Sequence, residues 1–478
     1  MYQLPQNINK NKIFIVNRST IDNRLDAQYY SANLNLSGFV KLSSVVVVKG
    51  GKRIPKGYGY SNEQTPYHYL RVADMDSDAQ VEVNGLRKIS KEVFDILERY
   101  EIFEGELAIS IAGTIGKTTI LKNIPADKRV ILTENCAKIF AKPNVDLLPE
   151  YLKICLELHI VKKQLDLNYI QTTIPKLGLD KIVGIKIPPI PCMQKQQEIV
   201  DYINEAYAQK RAKEAEAQQL LDSIDGYLLK ELGINVIASS DNVYSVADRI
   251  FVKNLRELER DRFDSNYYAN KYNILIHPIR KSIYPLYILG DSNITSFLSV
   301  GQTPKSEYYS DTETDFPIIK AGSYTGSEID LSKVAFTINK QSYTIKKGDI
   351  FILSAAHQAE YIAKQICYMH DTPKPNTSFV GELLCVRASE TVNSMYLYSL
   401  LSTKLYKTLL NREKRGQTSH LYAQDVKQIF VPIPPIEKQN CIAKHIEELR
   451  ARAKTLQAES KAILDNAKHK VEEIIMVK

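Results

Sequence analysis

Pro189-Ile190-Pro191-Cys192-Met193-Gln194-Lys195-Gln196 is written a second time as Pro432-Ile433-Pro434-Pro435-Ile436-Glu437-Lys438-Gln439. Each copy leads into a long polar stretch with evenly spaced aliphatic residues. Proline cannot donate to a strand ladder, so the segment ends the strand before it and a helix comes next. After the second copy, Ile442, Ile446, Leu449, Ala453, Leu456, Ser460, Ile463 and Ala467 fall at steps of three and four, with Ile474 one heptad further, which is a heptad seam. After the first, Ile199, Ile203, Ala206, Ala217, Leu220, Ile224 and Tyr227 obey the same rule, with Lys210 and Lys213 on the seam. A helix over 194–231 spans roughly 55 Å at about 1.5 Å per residue, too long to bury its stripe on one small globule. Pairing the two helices antiparallel within the chain satisfies both. Packing each helix back on its own domain, or on another copy, is the alternative.

Working outward, the other landmarks are also doubled and keep their order. Arg24-Leu25-Asp26-Ala27-Gln28-Tyr29-Tyr30 recurs as Arg262-Phe263-Asp264-Ser265-Asn266-Tyr267-Tyr268. Gly51 matches Gly301, and Gly105-Glu106-Leu107 matches Gly348-Asp349-Ile350. Between them the chains differ: Gly113-Thr114-Ile115-Gly116-Lys117 faces Ala355-Ala356-His357-Gln358-Ala359. Two scaffolds kept alike with unlike loops point to two surfaces for two targets. An old duplication with drift would erode landmarks and filler together.

Short β-branched runs such as Val45-Val46-Val47-Val48 and Ile350-Phe351-Ile352-Leu353 alternate with turn residues, and one helix is expected in each half, over 149–167 and 394–410. Short β-like runs at 13–16 and 250–252 read as entry strands. The fold class is therefore α+β: two tandem α/β domains with two long antiparallel, coiled-coil-like helices and an internal pseudo-twofold repeat. The expected boundaries are 1–191 and 236–434 for the domains, and 192–235 and 435–478 for the helices.

Composition narrows the function. The formal charge of +8 suits local basic surfaces on a mixed exterior. There are 29 tyrosines and no tryptophan, many of them beside Lys, Arg, Ser and Gly, where a hydroxyl can meet a phosphate and a ring a base or sugar. Packing in place of Phe is the other use of such residues. Six cysteines without a Cys-x-x-Cys pair argue for a reducing compartment and against structural zinc. No basic-then-apolar leader and no run of 18 apolar residues is present, so a cytoplasmic protein is expected.

The string Gly50-Gly51-Lys52-Arg53-Ile54-Pro55-Lys56-Gly57-Tyr58-Gly59-Tyr60 exposes backbone amides beside three cations and two tyrosines, a mixture suited to phosphate. Its counterpart is Gly301-Gln302-Thr303-Pro304-Lys305 with Tyr308 and Tyr309. A solvated surface loop is the bland reading of both. Gly113-Thr114-Ile115-Gly116-Lys117-Thr118 is no nucleotide-binding P-loop, since only two residues separate its glycines. It reads as a hairpin turn presenting Lys117. In the second half, His357-Gln358 takes the matching place, and Gln can pair bidentately with adenine. His420 comes after Arg415-Gly416-Gln417-Thr418-Ser419, whose twin is Gln171-Thr172-Thr173.

Catalytic signatures are missing from the sequence. Both Pro-Pro pairs lie between isoleucines, without the amide or carboxylate an amino-methyltransferase needs. The sole Glu-x-Lys, Glu459-Ser460-Lys461, sits on a helix with no strand Asp upstream, which does not build a nuclease metal site. No two of the eight histidines are three or four residues apart.

Taken together, the chain resembles the specificity (S) subunits, HsdS-like, of Type I restriction-modification systems. The resemblance rests on the Gly-Lys-Arg-Ile-Pro-Lys-Gly to Arg71-Val72-Ala73-Asp74 run with its echo Gly301-Gln302-Thr303-Pro304 to Ile319-Lys320-Ala321-Gly322. It rests also on the Gly-acidic-aliphatic strand leading to Ala112-Gly113-Thr114-Ile115-Gly116-Lys117, and on the doubled Ile-Pro to Gln lead into a helix. It implies two target recognition domains, each reading half of a split, asymmetric site in double-stranded DNA, with the helices as ruler. It implies docking of two modification (methyltransferase) subunits on those helices, with restriction and motor subunits bound through them. It implies no catalysis, no cofactor and no membrane for this chain, so that S-adenosylmethionine, ATP and Mg belong to partner subunits. The expected DNA-binding residues are Lys52, Arg53, Lys56, Tyr58 and Lys117, then Lys305, Tyr308, His357 and Gln358. Lys and Arg would meet phosphate or guanine, Gln adenine, and Tyr phosphate or sugar. Competing classes are a self-sufficient restriction or modification enzyme, another DNA-targeting adaptor, and a coiled-coil scaffold that binds no nucleic acid.

Overall fold

The structure is a computed structural model. It describes part of 13–35 and then 36–478 apart from 76–80, 169–174, 236–249, 251, 260–261, 327, 357, 417–419 and 477–478. The chain divides into two compact units, one made of 1–213 with 458–478 and the other of 214–457.

In the first unit, Val46–Gly50, Cys136–Ala141, Leu107–Ser110 and Thr118–Ile120 form an antiparallel sheet in that order. A second sheet runs Arg87–Lys88, Tyr67–Leu70, Arg129–Leu132, Glu101–Ile102, with its central pair parallel. Successive side chains on a strand face opposite sides, and here both sides are covered. Leu107 and Ile109 pack with the helices Pro149–Glu157 and His159–Asp166, while Ala108 joins Leu70, Val130 and Leu132 of the second sheet. That is why the strand reads as an unbroken apolar run.

The second unit repeats this plan. Thr295–Val300, Leu383–Ala388, Ile350–Leu353 and Ile366–Tyr368 keep the same order, extended by Glu328–Ile329 and Tyr324–Thr325. Its other sheet runs Tyr309–Ser310, Ala335–Thr337, Pro317–Ile319, Ser378–Phe379, again with a parallel pair. Ile350 and Ile352 face one core and Phe351 the other, the same alternation as 107–109.

Each doubled landmark has a mechanical meaning. Gly105 and Gly348 turn at φ of 79° and 88°, and the acidic residue after each folds back on the turn. Glu106 accepts from the Phe103 N–H at 2.9 Å and pairs with Lys138 at 2.9 Å. Asp349 accepts from the Lys346 N–H at 2.7 Å and pairs with Arg387 at 2.7 Å. The glutamine of the Pro-rich segment is a buried clamp. Gln196 accepts from the Leu148 N–H at 2.9 Å and donates to the Pro191 carbonyl at 2.9 Å. Gln439 accepts from the Asn393 N–H at 2.9 Å and donates to the Pro434 carbonyl at 2.8 Å. The clamp fixes each long helix to the globule before it. A tyrosine hydroxyl reinforces it, Tyr151 on the Pro189 carbonyl and Tyr396 on that of Pro432.

The long helices are Met193–Glu231 and Ile436–Met476. In the first unit Lys213 pairs with Glu459 at 2.6 Å, and Lys468 lies over the Tyr207 ring. In the second, Arg452 pairs with Glu216, His445 packs on Tyr227 and Lys438 pairs with Glu231. Rising numbers on one helix meet falling numbers on the other, so the pairing is antiparallel in both units. Ala217, Ala453 and Leu456 form a buried patch of the seam. Lys213 stands on the seam because its ammonium reaches out to a carboxylate of the partner helix while its stem stays within.

Several expectations change. The single helices over 149–167 and 394–410 are each broken in two, at Leu158 and Thr403, where ψ swings to 141° and 151°. Leu158 is itself buried and Thr403 accepts from the Tyr406 N–H, so neither interrupts the apolar pattern that suggested one helix. The seam ends at Val471, fully buried, rather than at Ile474, which is 37 % exposed. The entry strands at 13–16 and 250–252 are not strands at residues 13, 15, 16, 250 and 252; Phe14 and Phe251 lie outside the described residues. Also outside them are Arg24, Leu25, Asp26, Gln28 and Tyr29 of the first Arg-x-Asp segment. In its second copy Arg262 is only 2 % exposed. It is a structural node that donates to Asp264 and to the Glu413 and Lys414 carbonyls and stacks on Tyr267.

Candidate nucleic-acid interface

Both basic loops start on one backbone device. The Gly51 N–H donates to the Cys136 carbonyl at 3.0 Å and the Lys52 N–H to that of Leu132 at 2.9 Å. In the second unit, the Gly301 N–H donates to Leu383 at 3.0 Å and the Gln302 N–H to Phe379 at 3.1 Å. A Cβ at Gly51 would lie 2.1 Å from the Thr133 carbonyl oxygen, and one at Gly301 2.2 Å from that of Phe379. Only glycine allows so close an approach. The loop root is thus fixed identically in both units, while the residues beyond it are free to differ.

Those residues do differ. Lys52 and Lys56 are exposed. The Tyr69 hydroxyl donates to the Lys52 carbonyl at 2.8 Å and holds that residue's backbone. Arg53 donates from Nε to Glu134 at 2.5 Å. Burial alone would raise the Glu134 carboxyl, but hydrogen bonds from Arg53 and Thr133 hold it below the usual carboxylate range. The Tyr58 hydroxyl donates to Glu92 at 2.6 Å, which raises its pKa. At the matching turn of the second unit, Thr303 donates to Glu382 at 3.0 Å, and Lys305 and Tyr308 stand exposed on the loop beyond. Of the first-unit candidates, then, Lys52 and Lys56 project as cations, while Arg53 and Tyr58 each reach the surface tied to a carboxylate.

Lys117 belongs to a different neighbourhood. Its N–H donates to the Ser110 Oγ at 2.9 Å, closing the hairpin between Leu107–Ser110 and Thr118–Ile120. It lines a cleft of about 340 Å³ with Thr114, Glu157, Lys162 and Asp166. Among the described residues no hydrogen bond or ion pair joins it to 52–58. Gln358 is exposed at the start of the turn Ala359–Tyr361, while His357 lies outside the described residues. His420 exchanges backbone hydrogen bonds with Arg415 at 2.8 and 2.7 Å, and its ring lies 6.2 Å from that of Tyr422; 171–174 and 417–419 lie outside the described residues.

The sequence did not single out the cations that the second sheet brings to this face. The Tyr60 ring has the Arg71 guanidinium at 5.9 Å and that of Arg87 at 5.8 Å. In the second unit Lys320 lies 3.9 Å above the Tyr309 ring. Arg71 and Lys320 occupy the same turn. The Arg71 N–H donates to Asp74 and the Asp74 N–H returns to Arg71, as Lys320 and Ser323 do with each other. This shifts by one residue the sequence match that set Arg71 against Ile319. The signal that could have found the cluster is the doubled tyrosine preceding each turn.

Among the described residues, no group of His, Cys, Asp and Glu is placed to hold a metal ion. No described helix is long and apolar enough to cross a membrane.

Two anchored loops on duplicated sheets, joined to paired helices, define a tandem-repeat protein that presents two unlike loop surfaces on one scaffold. Residues 36–221 and 291–465 match the Type I restriction modification DNA specificity domain, and the chain belongs to that family. It is 27 % identical over 139 residues to the Type I restriction enzyme EcoBI specificity subunit of Escherichia coli. That match covers 29 % of this chain and spans only 28 % of the length of that relative. Among solved structures, the chain is similar to the S subunit of the Type I restriction-modification system from M. genitalium, at 15 % identity over 92 % of this chain and 97 % of that one, with a TM-score of 0.42. It is likewise similar to the HsdS subunit from Thermoanaerobacter tengcongensis, at 14 % identity over 92 % and 96 % of the chains, with a TM-score of 0.35.

Proposed function

We propose that this chain is the non-catalytic DNA-specificity subunit of a Type I restriction-modification complex, each domain reading one half of a bipartite, asymmetric site. The observation that carries the reading is the loop root. Gly51 and Gly301 are bound by the same backbone hydrogen bonds, yet Lys52-Arg53 stands where the second unit has Gln302-Thr303. A fixed platform with unlike side chains suits recognition of two unlike sequences. The sequence boundaries at 191, 235 and 434 separate recognition domains from helices on this reading.

In mechanism, exposed cations such as Lys52, Lys56 and Lys305 neutralise phosphates and set register, and polar groups such as Gln358 meet base edges. Arg53 and Tyr58, preorganised by Glu134 and Glu92, enter the interface with little loss of side-chain freedom. The antiparallel helices set the spacer between half-sites and offer the docking surface for two methyltransferase subunits, through which restriction and motor subunits join. S-adenosylmethionine, ATP and Mg then act in those partners.

The test is co-expression with the methyltransferase subunit encoded beside it, and then sequencing of modified bases. One split motif, lost when this chain is deleted, is expected. Methylation that persists unchanged without the chain rejects the reading. Reaction of the purified chain alone with DNA, S-adenosylmethionine and Mg²⁺ identifies it instead as a self-sufficient enzyme.

A further inference from the structure

We infer that Arg87 with Arg71 on Tyr60, and Lys320 on Tyr309, are paired anchors for the phosphodiester backbone of duplex DNA, one in each domain. The inference rests on the DNA-reading function proposed above and assigns it a site outside the basic loops. Two guanidiniums within 5.9 Å of one ring centroid crowd like charges together. Only one is neutralised: Arg71 donates to Asp74 at 2.8 and 2.6 Å, whereas among the described residues Arg87 makes no ion pair. Arg87 is exposed and the Tyr60 ring is 49 % exposed, so an anion can reach both. In the second unit Ser323 replaces Asp74 in the turn, and Lys320, exposed, likewise makes no ion pair among the described residues.

The duplication decides between backbone and base contact. Loop residues 52–53 and 302–303 diverge in charge, so they are not one contact kept in both domains. A cation braced on a tyrosine instead persists at one position of one turn, Arg71 in one unit and Lys320 in the other, and beside Arg71 the same ring carries Arg87, whose charge Asp74 does not offset. Exchange of Arg for Lys keeps a charge and discards the planar fork that reads guanine, which suits a contact indifferent to sequence. The ring holds the cation in place and lowers the entropy lost on meeting a phosphate.

The experiment uses the complete complex with its methyltransferase subunits and two duplexes, one carrying the methylated motif and one unrelated. Binding is measured across 50 to 200 mM salt. Arg87→Gln and Lys320→Gln should each lower the slope of log affinity against log salt by about 0.9, and should weaken both duplexes equally. Arg87→Lys should restore the slope, and Tyr60→Phe should leave it unchanged. Unaltered slopes in both Gln variants, while the wild-type complex binds its motif, overturn the inference alone. Loss confined to the cognate duplex overturns it too, by making these residues base readers. A wild-type complex without salt-sensitive DNA binding removes the functional reading itself.

Discussion

Arg387 closes two hydrogen bonds of 2.7 Å on Asp349, a carboxylate with no exposed surface. The same guanidinium donates to the Thr344 carbonyl at 2.9 Å, so one side chain pins the turn that opens the central strand. Removing one member of a buried pair strands the other's charge, which costs about 3–5 kcal/mol. Asp349→Ala is expected to destabilise the second unit by that amount in urea unfolding, and Asp349→Ala with Arg387→Met by less than either change alone. Additive losses would deny the coupling.

Gln196 and Gln439 are predicted to be the least tolerant polar positions of the helix leads. Replacing either by Ala orphans a backbone N–H and one carbonyl at Gln439, two at Gln196, at about 1–3 kcal/mol for each buried group left unpaired. Hydrogen exchange should show the Leu148 amide opening in Gln196→Ala and the Asn393 amide in Gln439→Ala. Protection unchanged in both would show that the clamps are dispensable.

Gly51→Ala and Gly301→Ala each force a methyl against a carbonyl oxygen, and overpacking of this kind costs about 1–3 kcal/mol. The loop root must shift, so motif-specific binding should fall more than melting temperature suggests. Ala at Gly57, where no atom lies within 4 Å, meets strain from its φ of 95° alone and should leave the root in place.

His68 predicts a pH effect. Its ring is 1 % exposed and Nδ1–H donates to the Pro66 carbonyl at 3.1 Å. Burial lowers its pKa, with Lys128 and Lys88 adding to the effect and the Pro66 carbonyl and Asp127 opposing it. The unfolded chain therefore takes up the proton first as pH falls, and folding loses stability from about pH 6.5 downward to the depressed native value. His68→Leu should flatten the denaturation midpoint between pH 7 and 5. A midpoint equally steep in the variant would place the titration elsewhere.

Deleting one heptad from each long helix shortens the pair by about 10 Å, close to three base pairs of duplex. The methylated motif is expected to lose a comparable length of spacer or the complex to fail to assemble. An unchanged spacer with full activity rejects the ruler.

Much of this was legible because the landmarks obey single-residue rules. Proline ends a ladder, glycine alone fits at 51 and 301, and a heptad can be counted without knowing its partner. The duplicated Gly-acid pair was visible as a pattern, but its partners Lys138 and Arg387 sit on a strand far along the chain. The Tyr60 cluster was hidden for the same reason, since its arginines come from separate segments that only the second sheet assembles. Arg53 looked like a free cation because Glu134 is distant in sequence. The breaks at Leu158 and Thr403 escaped because an apolar residue and a capped threonine carry the helical pattern across them.

Residues 458–478 complete the first unit, with Leu464, Ala467 and Val471 in one apolar core with Ile199, Ile203 and Tyr207. A ribosome adding about 5–20 residues per second reaches Val471 on the order of tens of seconds after Tyr207. During that wait the earliest-made domain carries an uncovered greasy stripe, and the later-made one, 214–457, finishes before it. Birth order and folding order are reversed, so a stalled or nicked message yields a protein whose damage shows at its beginning.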